Sequence, residues 1–144
     1  MSIVYNRLKR EVGEGFDWVA ADVRILLLDD AGTYAPDPDH EFVDDLTPGS
    51  NELDTDNYAR AALAGKAVTL NTVDNRAEWT ADDVVFADLG PTSAGPTIQA
   101  AVLYVDVTDD TDSWLLCYLD DVTGTVNGLD ATVAFDPTGI IRPT

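Results

Sequence analysis

Apolar residues fall into short runs along this chain, and most of those runs have the spacing of strands. The first does not. Tyr5, Leu8 and Val12 recur at helical spacing, and Gly13 and Gly15 close the segment, which predicts a short N-terminal helix. Val23, Ile25 and Leu27 then alternate with Arg24, Leu26 and Leu28, a strand apolar enough to be buried on at least one face. After the polar loop Asp29-Asp30-Ala31-Gly32, Asp37 has the chemistry of an N-cap and Pro38 that of a first helical position. Together they predict a helical turn through Glu41, Phe42 and Val43, broken by Thr47-Pro48-Gly49-Ser50.

From Tyr58 onward the period is two. Val68 and Leu70 alternate with Ala67, Thr69 and Asn71, and Ala77 and Trp79 with Arg76 and Glu78. The run 97–107 is long and mostly apolar, as suits a central strand. A loop of residues 108–112 joins it to Trp114–Leu119 as a hairpin. Leu129, Ala131, Val133 and Phe135 share one face of a further strand. Asp136-Pro137-Thr138-Gly139 is a turn, and Ile140-Ile141 a last short strand. Frequent turns between short strands predict one mainly β domain over residues 1–144. Its architecture is an antiparallel β-sandwich or jelly-roll-like barrel, with short helices near the N-terminus.

Charge changes the picture more than length does. The chain holds 22 aspartates, five glutamates and two lysines, Lys9 and Lys66, and its net charge is −19 over 144 residues. Such a surface repels itself in dilute buffer, and the repulsion is screened in molar salt, where the Debye length is roughly 3 Å. A salt-rich interior selects this composition, and a GC-rich genome produces the same exchange of Lys for Arg and Glu for Asp. Phosphate is repelled by such a surface, so no nucleic-acid partner is expected. A hydrophobic content of 45% argues against disorder. The apolar runs are too short to span a bilayer, and the first residues lack a signal-peptide layout, so neither membrane insertion nor export is expected.

Little catalytic chemistry stands out. The lone Cys117 excludes an internal disulfide and lies in an apolar run, where a buried, inert thiol is expected. The single His40 leaves no histidine cluster and reads as a surface or capping residue. Trp18, Trp79 and Trp114 are expected in the core. Aspartates cluster at Asp37, Asp39 and Glu41, at Asp54 and Asp56, and at Asp109, Asp110 and Asp112. None of these has both the glycine and the glutamate of a helix-loop-helix calcium loop. Asp109, Asp110 and Asp112 are the best candidates for calcium or another cation, because Asp120 and Asp121 follow the same hairpin. No cofactor and no enzymatic activity are expected.

The order of short motifs resembles a family of small virion structural proteins of tailed double-stranded DNA viruses. The likeness runs through Tyr5-Asn6-Arg7-Leu8-Lys9, Gly15-Phe16-Asp17-Trp18, the strand Asp22 to Leu27, and the segment Tyr34 to Phe42. It continues through Asn57-Tyr58-Ala59-Arg60, Gly65-Lys66, Asp74-Asn75-Arg76-Ala77-Glu78 and Ala81-Asp82-Asp83-Val84. It ends with Ala101-Val102-Leu103-Tyr104, Thr111-Asp112-Ser113 and Leu116-Cys117-Tyr118-Leu119-Asp120. The resemblance implies a non-enzymatic virion component, foremost a capsid decoration protein that contacts the major capsid protein as a homo-oligomer. A neck or tail position is the alternative. The acidity would then place the virus with an archaeal or bacterial host in brine. Two readings come from other classes: an acidic DNA-mimic inhibitor of a host protein, and a calcium-dependent binding module. The one basic cluster, Arg7, Lys9 and Arg10, is the candidate shell contact, or else it complements carboxylates of its own fold.

Overall fold

The computed structural model describes residues 2–47, 49, 51–91 and 95–142. Pro48 and Ser50, part of the predicted break, lie outside the described residues. Among the described residues, ten strands and one α-helix follow in order: β1 (Ile3–Val4), α1 (Asn6–Gly13), β2 (Val23–Asp29), β3 (Ala61–Ala62), β4 (Ala67–Asn71), β5 (Arg76–Thr80), β6 (Val84–Phe86), β7 (Thr97–Val105), β8 (Trp114–Leu119), β9 (Gly124–Thr125) and β10 (Ala131–Val133). A 3-10 turn, Val43–Leu46, lies between β2 and β3. None of the described helices is long and apolar enough to cross a membrane.

The main sheet runs β1-β8-β7-β2-β3, with β9 also paired to β7, and every pairing is antiparallel. The expected antiparallel β architecture is present, and its layers stay open: the sheets do not close into a barrel. Two-sided burial explains the long apolar runs. On one face Val23, Ile25, Leu27, Ala101 and Leu103 pack beneath Leu8 of α1, Trp79 of β5, Phe86 of β6 and Val133 of β10. On the other, Leu26, Leu28, Val102 and Tyr104 pack with Tyr5, Val43 and Leu46. Two bulges keep that alternation in phase. Gln99 is the extra residue where β7 meets the end of β2, and Leu116 is the extra residue of β8 opposite Leu103 and Tyr104. Leu116 and Cys117 therefore both face the first cluster, although they are adjacent in sequence.

Three local expectations are corrected. Asp37-Pro38 opens a β-turn rather than a helix: His40 N–H donates to the Asp37 carbonyl at 3.0 Å, and the Asp37 carboxylate accepts from Asp39 N–H. The chain then runs extended through Phe42, which bridges Trp114, and the helical turn starts only at Val43. Asp45 holds it there, because its carboxylate reaches back to the N–H groups of Glu41 and Phe42 at 2.8 and 2.9 Å. Strand β10 is shorter than its apolar pattern, since Leu129 sits in a turn whose N–H is taken by the Asn127 side chain. The predicted last strand Ile140-Ile141 is reduced to an isolated bridge between Ile141 and Trp79. Strand β4 forms where period two places it, with Leu70 81% exposed.

Candidate functional site

Helix α1 carries the predicted shell-contact residues, and its two faces meet different fates. Arg7 turns inward. Its guanidinium lies 5.3 Å from the Phe42 ring centre and 5.5 Å from that of Trp114. Arg7 Nε donates to Glu11 at 2.7 Å and Nη1 to Glu41 at 3.1 Å. Arg10 is half exposed and lies 3.6 Å from Glu11 and 3.8 Å from Glu41. Lys9 is exposed and donates to Asn6 Oδ1 at 2.8 Å. Asn6 in turn donates to Asp39 at 2.6 Å. Arg7 and Arg10 thus complement carboxylates of their own fold, and the patch balances three cations against Glu11, Glu41 and Asp39. In a chain of charge −19, a patch whose charges balance is ground on which a partner meets little repulsion.

Beside it lies a groove of about 450 Å³ lined by Val4, Leu8, Val12, Trp79 and Ile141, with Lys9 and Arg142 on its rim. Helical spacing exposes this floor. Leu8 and Val12 lie one turn apart on α1, and only Leu8 is covered, while Val12 remains 39% exposed. Trp79 belongs to an aromatic cluster with Phe16 and Trp18, and Phe16 also meets Trp114 edge-on at 5.2 Å. All three tryptophans are core residues. Arg142 ion-pairs with Asp136. With Arg7, Lys9 and Arg10 it makes four of the chain's eight basic residues, gathered around α1 and its groove. The arrangement can take an apolar side chain whose neighbour is a carboxylate. Sequence reasoning missed Ile141 and Arg142, and the helical spacing of Leu8 and Val12 carried no sign that Val12 would stay uncovered.

The aspartates of the β7–β8 loop are engaged in building the loop. Asp112 accepts from Thr108 and Asp109 N–H at 3.0 and 2.9 Å, and those bonds hold its carboxyl below the usual carboxylate range. Asp109 accepts from Thr111 N–H at 2.9 Å. Asp110 points away to Arg60, with bonds of 2.6 and 3.0 Å that depress its pKa. Strand β8 carries Asp120 and Asp121 to the opposite end of the hairpin, about 20 Å away at 3.4 Å per residue. Among the described residues no three His, Cys, Asp or Glu side chains are grouped so as to hold a metal ion.

Arg60 is the residue that the sequence left unremarked beyond its place in a motif. It also binds Glu52 through Nε at 2.9 Å and Nη2 at 2.7 Å, and its guanidinium covers the Tyr104 ring. Glu52 accepts in addition from Tyr58 Oη at 2.7 Å, and Tyr58 Oη accepts from Leu27 N–H. One guanidinium therefore ties the β7–β8 loop to the edge of β2. His40 is neither a cap nor a plain surface residue. Its Nδ1 lies 2.9 Å from the Tyr34 hydroxyl, which is 3.0 Å from that of the buried Tyr5. Cys117 is fully buried, and burial pushes its thiol up to about 12.

No family model matches the chain, and neither the curated proteins nor the solved structures contain a match to it.

Proposed function

We propose that this chain is a non-enzymatic structural protein of a tailed double-stranded DNA virus. It serves as a capsid decoration protein in the virion, bound as a homo-oligomer to the major capsid protein after assembly in the host cytoplasm. The ordered motifs from Tyr5 to Asp120 support the family. The observation that carries a docking role is the contrast between surfaces. An apolar groove with Lys9 and Arg142 on its rim adjoins the charge-balanced α1 patch, in a chain otherwise dominated by carboxylates. A shell surface presenting an apolar side chain beside an acidic one fits that groove, and the remaining acidic surface faces the medium.

The test is the copy number of the chain in purified virions, measured by quantitative mass spectrometry against the major capsid protein. Presence on the order of hundreds of copies, as a lattice requires, supports decoration. A few copies would move the protein to the neck or tail. Absence would sink the structural role and return the acidic DNA-mimic inhibitor to the front.

A further inference from the structure

The β4–β5 hairpin is held at its root and bare at its tip. At the root Trp79 packs in the aromatic cluster and bridges Ile141. Along the apolar face and toward the tip, Val68 is 47% exposed, Leu70 81% and Val73 88%. Among the described residues β4 pairs with β5 alone, so the outer edge of β4 has no strand beside it. Soluble proteins blunt such edges with lysine, proline or a bulge. The strand Ala67-Val68-Thr69-Leu70-Asn71 has none of these.

We infer that this edge pairs with the same edge of a second copy, antiparallel about Thr69, to form a four-stranded sheet across a two-fold axis. Two observations select a second copy as the occupant. The strand complements itself: reversed about Thr69, Val68 lies opposite the other copy's Leu70 on the exposed apolar face, and threonine lies opposite threonine. The charges also agree. Residues 67–73 carry no charge in a chain of net −19, with Lys66 at one end and Asp74 at the other. Two strongly acidic copies can thus approach along residues that carry no carboxylate, while Lys66 stays on its own fold, donating to the Ala21 carbonyl and lying over the Trp18 ring.

Size and charge set the strength. A single five-residue edge, about 17 Å long, buries too little to reach the roughly 800 Å² per partner of a standard interface, so the dimer is weak. Mutual repulsion opposes it at low ionic strength. That repulsion fades as the Debye length falls from about 10 Å at 0.1 M salt to about 3 Å at 1 M. Association therefore strengthens with salt, the reverse of an interface held by ion pairs. The inference stands apart from the virion role, since it concerns the isolated chain in solution and either can fail without the other.

Sedimentation equilibrium of the full chain, from about 0.1 M to about 3 M KCl, tests it, with circular dichroism confirming the fold of each variant. A monomer–dimer equilibrium shifting toward dimer with salt is expected, together with hydrogen-exchange protection of β4 amides in the dimer. Leu70→Asp alone and Val68→Lys alone should each weaken association about tenfold or more. The double variant should recover part of the loss, because each introduced lysine then faces the other copy's introduced aspartate. A monomer at every salt concentration overturns the inference. So does undiminished association of Leu70→Asp, or a double variant no better than either single one.

Discussion

Replacing Arg60 by alanine tests how the β7–β8 loop is held. The guanidinium makes two bonds to Glu52 and two to Asp110, and its side chain is 25% exposed, against 32% for Glu52 and 48% for Asp110. An exposed ion pair is worth about 0–1 kcal/mol, and breaking a buried one costs about 3–5 kcal/mol. Both carboxylates can rehydrate once Arg60 is gone, and Asp110 is nearly half exposed, so the Asp110 half belongs near the lower limit. The Glu52 half belongs between the two limits, because Tyr58 shares that carboxylate. A total of about 2–3 kcal/mol follows. For a chain of this size that corresponds to a fall in Tm of about 6–9 °C. Arg60→Lys keeps the charge but loses the paired geometry, and should give about half the loss.

The same substitution has a signature in pH. Arg60 depresses the pKa of Asp110, so the folded state favours the ionised carboxylate. That stabilisation is complete above the unfolded-state value of about 3.9 and is lost as the pH falls through the lower folded value. Arg60→Ala should therefore lose less stability than the wild type on acidification from about pH 5 to about pH 3. Urea midpoints across that range, with calorimetric Tm at neutral pH, supply the measurement. A Tm within about 1 °C of wild type, or parallel acid profiles in the two proteins, would refute the clamp.

Three further outcomes follow from local geometry. Gly90 sits at φ +82°, and a Cβ there would run into the Val126 side chain, so Gly90→Ala should lower the unfolding free energy by about 2–4 kcal/mol; a loss under about 1 kcal/mol in urea titration would contradict that packing. Cys117, buried and with its thiol raised to about 12, should react with a chromogenic disulfide reagent only as fast as the protein unfolds, and rapid labelling of native protein would show an opening that the fold does not contain. Calcium and a chelator should leave Tm unchanged, because Asp109 and Asp112 already bind loop amides and Asp110 binds Arg60; a calcium-dependent rise of about 3 °C or more would restore a cation site.

Residues whose pattern has one physical solution were legible in sequence. The run Ile25–Leu28 and the runs that became β7 and β8 are apolar on both faces, which only a covered central strand satisfies. The hairpin between β7 and β8 was placed by its polar loop, although that loop runs over 106–113 rather than 108–112, because β7 ends at Val105. Ambiguous signals failed. Aspartate followed by proline suits a helix start and a β-turn equally well, and Asp45, eight residues on, decides between them by capping the later turn. Period two at Val68 and Leu70 marked the strand but carried no information on whether anything lies over it. The basic cluster on α1 was visible, yet its neutralising partner Glu41 lies 34 residues from Arg7. Arg60 and Asp110 are 50 residues apart. Such pairs are made by strand order, which leaves no local mark.

The bias toward aspartate over glutamate acquires a structural cause once the turns are seen. Carboxylates of Asp17, Asp29, Asp37, Asp45, Asp83, Asp109, Asp112, Asp130 and Asp136 all accept hydrogen bonds from backbone N–H groups, most of them two or three residues away. A one-methylene side chain closes such a ring, whereas a longer one overshoots it. Among the described residues, no glutamate makes such a bond; Glu11, Glu41, Glu52 and Glu78 instead receive side-chain donors. Seven of 22 aspartates thus close local rings in the loops of a fold built from short strands and many turns, and Asp83 and Asp130 bind amides far along the chain. Genome composition and salt adaptation then need to account only for the others. The same distribution weighs against a DNA mimic. Carboxylates oriented by their own turns point where the loops point, on several sides of the sheet, and not along one stripe at phosphate spacing.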